Sequence, residues 1–259
     1  MKITNLNYMK KYVVLVLSLI SSLAIAQKEC GSFFQNIEEA KNNLLQKVKT
    51  SASKEKNDAS FENFYEVYSE QLLSFDQEKM KNCGYLDDQY NVTTTFKKLL
   101  ERCSLTLQSG EGSLYLFFSD EALFKTFGDY LSDEYKQYLS ISLSPQKMYE
   151  DFAVVAPWSD LGKLVNIETE FIHKFPNSKK LREVKKRYSY DLYFFLMGTD
   201  NTPSAKNVKA QNAIKQFAKE YPNSMATNIV NLYLKNKSKM SSSKLGIYIN
   251  KEIAKQLGQ

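Results

Sequence analysis

Apolar residues recur every three or four positions along most of this 259-residue chain, a spacing that places them on one face of an α-helix. In the first half, the pattern predicts one helix over residues 33–48, a second over 61–75 and a third from Asn91 to about Gly110. The few glycine and proline residues fall almost entirely between these periodic segments, where helices end. The pattern therefore predicts an all-α fold.

Two further segments complete the first half of the chain. The apolar run Ser113–Phe118 is too short to be typed by its period, and without a visible partner strand we interpret it as a buried helix or an extended connector. Ser144 and Pro145 form a helix-start signal, because serine caps a first turn and proline is tolerated there. That helix is expected to reach about Ala156. Residues 27–156 are thus predicted to form an irregular helical domain.

The last third of the chain repeats one phrase, an aromatic residue followed four positions later by an aromatic-Pro-Asn-Ser sequence. The two copies carry Phe171, Phe175 and Pro176, and Phe217, Tyr221 and Pro222. The two aromatic residues of each copy lie on one helix face, proline ends that helix, and Asn-Ser can cap the next one. The repeat predicts two stacked helical hairpins, with a last helix over residues 245–257 that caps them.

This phrase resembles the one found in tetratricopeptide-like proteins of bacterial envelopes, in which helical hairpins stack. The resemblance covers residues 157–240, about one third of the chain, and implies a hairpin domain over residues 157–259. The copies are 46 residues apart, from Phe171 to Phe217, against ~34 in the family, and we expect the excess in the 198–207 loop. Since at least ~3 units normally stack, the helices of the first half are expected to supply the missing packing surface.

The amino terminus has the organisation of a secretory signal peptide. Lys10 and Lys11 precede the apolar run 12–20, and Ala24-Ile-Ala26 has the small-residue pattern that a signal peptidase reads. We expect cleavage after Ala26 and a periplasmic or secreted protein. The apolar run is short for a membrane span, and the alternative of an uncleaved anchor helix lacks a stop-transfer pattern.

Cleavage changes the charge of the protein. Residues 1–26 contain three lysines and no acidic residue, so the formal charge falls from +6 to +3 over the remaining 233 residues. A charge this small creates no field that would recruit a polyanion by itself. We therefore expect no nucleic-acid partner, and after cleavage no membrane span.

The three cysteines, Cys30, Cys83 and Cys103, all lie in the part expected to be exported, where disulfides persist. Cys30 precedes the first predicted helix and Cys83 follows the second, so an antiparallel pair of helices would bring them together. Cys103 lies on an apolar stripe and is interpreted as a buried hydrophobic residue. The sequence therefore predicts a Cys30–Cys83 disulfide and one free thiol.

Motifs for catalysis or metal binding are absent from the sequence. His173 is the single histidine, with no second ligand at metal-site spacing, and its position near a helix end suggests a solvent-facing or capping role. There is no nucleophile elbow and no phosphate-binding glycine loop. Acidic residues are abundant, but neighbours in sequence point apart on a helix. We predict no catalytic residue, no metal site and no cofactor.

Two features could bind a partner, although both also have structural interpretations. Tyrosines on a concave helical surface anchor protein partners well, and a polar loop can do the same, whereas core packing, a turn or a wedge between hairpins would explain the same residues. The candidate partner-binding residues are Trp158, Tyr188, Tyr190, Tyr193, Asp200 and Asn201.

These observations lead to two hypotheses of function. The first is an exported, non-catalytic scaffold that binds a protein or peptide, since stacked hairpins expose a long face suited to recognition. The alternative is an envelope hydrolase, acting on a glycan or the cell wall, with Asp or Glu residues in a cleft between the two halves. Two converging buried carboxylates in a deep cleft would favour the hydrolase, and a shallow aromatic groove would favour the scaffold.

Overall fold

The described residues, 30–110, 112–142, 148–150 and 153–258 of a computed structural model, are mostly helical, and their strands are short. This confirms the predicted all-α class. Contacts between residues group into two compact units, one ending at Ser132 and the other starting at Asp133. The expected signal peptide, residues 1–26, lies outside the described residues.

The first unit consists of five helices and one β-hairpin. Four of its helices begin after a residue whose side-chain oxygen accepts a hydrogen bond from the first turn, namely Ser53, Asp76, Thr93 and Ser119. The elements in chain order are α1 (30–50), α2 (Lys54–Leu73), α3 (Gln77–Asn82), α4 (Thr94–Cys103), β1 (Leu105–Gly110), β2 (Ser113–Phe118) and α5 (Asp120–Phe127), followed by a 3₁₀ turn (Gly128–Tyr130).

The β-hairpin corrects two expectations for the first unit. Helix α4 was expected to reach about Gly110, but it ends at Cys103 because Ser104 adopts the left-handed conformation, with φ of 57°. The next residues, Leu105–Gly110, pair antiparallel with Ser113–Phe118. The interpretation of Ser113–Phe118 as a buried helix or connector is therefore wrong. Its partner strand, Leu105–Gly110, lies in the segment that was predicted to be the end of the third helix.

The Cys30–Cys83 disulfide is confirmed, with the two Cα atoms 5.9 Å apart. Cys30 lies in α1, and Cys83 directly follows the last residue of α3. Cys103 is free and completely buried, as predicted, and its thiol approaches the main-chain oxygen of Phe34. Burial raises the pKa of the Cys103 thiol to about 11, so this thiol is not a reactive one.

Within the described residues, the named elements of the second unit are six helices and a β-hairpin whose strands have two residues each. Its last helix carries the four apolar residues predicted for the capping helix, and all of them are buried. The elements in chain order are α6 (Asp133–Ser142), β3 (Tyr149–Glu150), β4 (Ala153–Val154), α7 (Trp158–Lys174), α8 (Leu181–Met197), a 3₁₀ turn (Ser204–Lys206), α9 (Val208–Glu220), α10 (Met225–Asn236) and α11 (Ser242–Leu257).

Strand β4 corrects the helix that was expected to run to Ala156. Ala153 and Val154 pair with Glu150 and Tyr149 instead. Two β-branched valines followed by Ala156 and Pro157 favour extended backbone, since a residue before proline avoids the helical region. The predicted start of that helix, Ser144-Pro145, lies outside the described residues.

The two copies of the repeated phrase adopt the same backbone turn. Phe175 and Tyr221 end α7 and α9 with nearly equal dihedral angles, φ/ψ of −124°/58° and −121°/55°. In both copies the N–H of this residue donates to the aromatic residue four positions earlier, Phe171 or Phe217, over 2.9 Å. The paired rings lie 5.2 and 5.0 Å apart. Both prolines thus stand at corners between helices.

Helix α7 packs against α8 and α9, while α11 packs against α8 and α10. A shared core of aliphatic and aromatic side chains fills the space between them. Gly162 allows the close approach of α7: a Cβ atom built there would lie 3.2 Å from the ring of Phe195 on α8 and 3.4 Å from that of Phe217 on α9. The first helices of the two hairpins therefore lie side by side.

Candidate functional site

Helices α7 and α9 run in the same direction, and the strip of surface between them is called the seam below. Near its start, Gly162 lies against Phe217, and further along the hydroxyls of Thr169 and Ser224 are 2.9 Å apart. The small residues at these contacts let the two helices approach closely. Two grooves follow from this arrangement.

The first groove has a volume of about 730 Å³. Its floor is apolar, with the nearly buried rings of Trp158 and Phe217 and the half-buried Ala213, and the exposed Val155 forms one wall. The lining residues are Val154–Ser159 and Gly162 on one side, and Asn207, Lys209, Asn212, Ala213, Gln216, Phe217, Glu220 and Tyr221 on the other. A volume of this size is typical of ligand sites.

The second groove, about 620 Å³, continues along the seam at the corners of the two hairpins. It shares Glu220 and Tyr221 with the first groove, and His173 and Pro176 lie at its far end. The lining residues are Asn166, Thr169, Glu170, Ile172, His173, Pro176 and Glu220–Met225. The two grooves thus form one elongated surface rather than two separate pockets.

Amide side chains are the main polar groups of the seam. Asn166 on α7 donates to Glu170 over 2.7 Å, and Gln216 on α9 donates to Glu220 over 3.1 Å. Both bonds join residues one helical turn apart, and all four residues line the grooves. Asn212, one turn before Gln216, is exposed on the same face of α9. An amide group both donates and accepts hydrogen bonds, as a peptide group does.

The structure distributes the aromatic partner-binding candidates over different environments. Trp158 is 6% exposed and donates its indole N–H to the main-chain oxygen of Phe195, so only its edge reaches the first groove. Tyr188 is completely buried and its hydroxyl donates to Gln256. Tyr190 is exposed on α8, and Tyr193 is half-buried beside Gly246 of α11. Trp158 alone of these lines the seam.

Asp200 and Asn201 lie, exposed, at the tip of the tight loop between α8 and the following 3₁₀ turn. Main-chain hydrogen bonds between Thr199 and Thr202 close this loop. The hydroxyl of Thr202 also accepts a hydrogen bond from the N–H of Val154 over 2.8 Å. The loop therefore supports the strand that borders the first groove, although its tip does not line that groove.

Gly198, at the start of this loop, provides a direct test of its geometry. It has a φ of +77°, and a Cβ atom there would lie 2.2 Å from the main-chain oxygen of Thr202. Main-chain atoms cannot move aside as a flexible side chain can. We expect Gly198→Ala to lower the free energy of unfolding by about 2–4 kcal/mol, measured by chemical denaturation. Gly258→Ala, with the same φ sign but open space around it, should cost about 1 kcal/mol.

A buried cluster of polar side chains lies inside the second unit, and the sequence analysis did not predict it. Glu168 of α7 is 0% exposed and Asp191 of α8 is 4% exposed, and the two carboxyl groups are near enough for each to change the pKa of the other. These two residues are called the acid pair below. The hydroxyl of Tyr149 on β3 donates to Asp191 over 2.8 Å. Arg187, one turn before Asp191, donates to main-chain oxygens at the end of α6.

Protonation decides how the acid pair is satisfied. If both groups are ionised they are acceptors only, and neither oxygen of Glu168 then has a donor among the described residues. Burial and the charge of Asp191 raise the pKa of Glu168 well above its ordinary value of 4.5. Burial also raises the pKa of Asp191, although its hydrogen bonds and Arg187 oppose this rise. A protonated Glu168 can donate to Asp191, which gives one of its two buried oxygens a partner.

The acid pair is enclosed rather than open to a substrate. Neither carboxyl group lines either groove of the seam, and the surrounding helices cover both. The pair therefore meets one expectation for a hydrolase, converging buried carboxylates, without the cleft that such an enzyme requires. The described residues contain no place where three potential metal ligands of the His, Cys, Asp or Glu type come together.

Comparison with known proteins does not identify the chain. No protein-family model, no curated protein and no solved structure matches it. In the described part of the chain, no helix is both long enough and apolar enough to cross a membrane. The Cys30–Cys83 disulfide fits a protein that resides outside the cytoplasm.

Proposed function

We propose that this protein is a non-catalytic peptide-binding protein of the extracytoplasmic space, and that its seam holds an extended segment of another exported protein. The observation that supports this most strongly is the continuity of the two grooves through Glu220 and Tyr221. The resemblance of the two hairpins to tetratricopeptide-like envelope proteins agrees with it. Export through a signal peptide over residues 1–26 belongs to the same proposal.

The shape of the seam favours a chain over a compact ligand. From Trp158 to His173 the seam follows most of α7, which corresponds to about 24 Å at 1.5 Å per residue. An extended peptide of about seven residues covers this length at ~3.4 Å per residue. A small metabolite would fill one groove and leave the other empty, whereas a peptide can occupy both.

The chemistry of the seam suits a peptide of low charge. The apolar floor around Phe217 and Ala213 can bury the side chains on one side of an extended strand, which alternate with those pointing outward. Asn212, Gln216 and Asn166 can bond the main chain regardless of its sequence. Lys209 and Glu220 carry opposite charges, so the first groove has no strong preference for a basic or an acidic ligand.

A large side chain placed in the first groove should weaken the binding of peptides. Peptides selected from a random display library on the exported chain, residues 27–259, provide the ligands. Ala213→Arg places a long side chain on the groove floor, and we expect it to weaken these peptides by at least tenfold, about 1.4 kcal/mol, in fluorescence anisotropy titrations.

Ala205→Arg is the matched control, because Ala205 is exposed on the neighbouring 3₁₀ turn and does not line either groove. It adds the same charge and the same side chain, and binding should stay within twofold of the unaltered protein. If Ala213→Arg and Ala205→Arg bind the selected peptides with equal affinity, the proposed site is contradicted. The proposed site is also contradicted if Ala213→Arg weakens the binding of none of the peptides selected from the library.

A further inference from the structure

The acid pair connects the interior of the second unit to the border of the first groove. Asp191 accepts the Tyr149 hydroxyl, and Tyr149 is the register partner of Val154 on β4. Val154 lines the groove, and Trp158 follows four residues later. The ring of Tyr149 also packs on Phe194, with centroids 5.5 Å apart. A hydrogen bond therefore links β3, the partner strand of β4, to one member of the pair.

The surroundings of the pair can neutralise one negative charge but not two. Among the residues that the structure describes, Arg187 is the one cation that acts on both carboxyl groups, and its guanidinium already bonds the main-chain oxygens of Ile141 and Ser142 of α6. Tyr149 has one hydroxyl hydrogen, which Asp191 accepts. Tyr188, beside Glu168, gives its hydroxyl hydrogen to Gln256 of α11. Among the described residues, α9 and α10 add no titratable group to those that act on the pair.

We propose that Glu168 and Asp191 share one proton and form a pH-dependent switch that holds strands β3 and β4 in place. While the proton is present, Glu168 donates to Asp191, and the single remaining charge is satisfied by Tyr149 and Arg187. At alkaline pH the shared proton leaves to hydroxide, and two carboxylates then face each other in a region closed to water. Separating or hydrating them breaks the Tyr149 contact and loosens β4 at the border of the groove. The switch does not depend on what the groove binds.

The direction of the pH effect follows from the raised pKa values. Below the ordinary pKa of 4.5, Glu168 is protonated in both the folded and the unfolded chain. As the pH rises above that value, the unfolded chain releases the proton while the folded chain retains it. The free energy of unfolding therefore decreases with rising pH, until the folded protein also loses the proton.

Trp158 is the single tryptophan of the chain and lies next to β4, so its fluorescence reports on the switch. We expect the emission of the unaltered protein to shift to longer wavelength between neutral pH and about pH 9.5, below the ordinary pKa of tyrosine, ~10. Glu168→Gln keeps an amide donor for Asp191 but cannot ionise, and its emission should stay constant. Glu170→Gln, an exposed acid on the same helix, should behave like the unaltered protein.

Infrared spectroscopy of the unaltered protein tests the same switch without any variant. We expect a protonated-carboxylic-acid band in D₂O at neutral pH, which disappears over the range in which the Trp158 emission shifts. If no such band exists at neutral pH, or if Glu168→Gln shifts like the unaltered protein, the switch is refuted. Because neither measurement uses a peptide, a failure of peptide binding would leave this result unaffected.

Discussion

Replacing Phe217 with alanine should lower the free energy of unfolding of the second unit by about 3–5 kcal/mol, the range typical of a buried phenylalanine. The ring is 2% exposed, lies 5.4 Å from Phe195 and 5.0 Å from Tyr221, and packs over Gly162. It thus joins α7, α8 and α9 at one point. Truncation leaves a cavity that the surrounding helices can fill only in part. Chemical denaturation followed by circular dichroism measures the loss.

Tyr190→Ala is the matched control for Phe217→Ala. It removes a larger aromatic side chain from the same unit, but that side chain is 55% exposed. We expect a change within about 0.5 kcal/mol. Similar losses in the two variants would show that the aromatic residues of the repeated phrase do not form the interior of the hairpins.

Removing the Cys30–Cys83 disulfide should destabilise the first unit by about 4 kcal/mol, because the bridge closes a loop of 53 residues whose entropy the unfolded chain regains. The double variant Cys30→Ser, Cys83→Ser provides the measurement, again by chemical denaturation. Cys103→Ala serves as the control, since it keeps the bridge and changes one small buried side chain, with an expected loss of about 1 kcal/mol.

Thiol counting identifies the bridge independently of stability. The unfolded, non-reduced protein should titrate one thiol per chain, and three after reduction. Peptide mapping should recover Cys30 joined to Cys83. A peptide that joins Cys83 to Cys103 would contradict the structure.

The sequence predicts the second unit well because its signals are local and repeated. Each aromatic-proline corner specifies its own turn, and the two corners differ by only a few degrees in backbone dihedral angles. The apolar stripe of the last helix likewise predicts α11, since all four of its members are buried. A pattern with period 3.6 and clear stop signals leaves little choice of structure.

The strands were missed because they are short and follow helical patterns. Leu107 continues the apolar spacing of Phe96, Leu100 and Cys103 in α4, so the periodicity alone does not show where the helix ends. The deciding feature is the left-handed Ser104, which tertiary contacts select. At β4, Val154 and Val155 before Pro157 indicate extended backbone. The prediction instead extended the helix that was expected to start at Ser144-Pro145.

The acid pair was missed although the sequence contains a signal for it. Glu168 stands three or four positions from Leu164, Val165 and Phe171, so it falls on the buried face of α7. Asp191 occupies the equivalent place on α8, between Tyr188 and Phe195. An acidic residue on an apolar stripe requires a partner, since burial of an isolated charge is costly. Neither residue was predicted to belong to a buried pair, because its partner lies on a different helix.

The seam itself could not be predicted from the sequence. Its lining combines residues of β4, α7 and α9, which are distant in the chain, and its width depends on the absence of a side chain at Gly162. Of the candidate partner-binding residues, Trp158 lines the seam, whereas Tyr188 belongs to the core. Aromatic composition alone does not distinguish these two environments.

Nuclear magnetic resonance of the labelled chain, residues 27–259, titrated with a library-selected peptide, tests the central proposal most directly. The peptide is expected to shift the methyl and amide signals of Val155, Asn212 and Ala213 in the first groove and of Asn166 and Ile172 in the second. Shifts confined to Tyr190 and Ile247, on the α8 and α11 surfaces, would contradict binding at the seam.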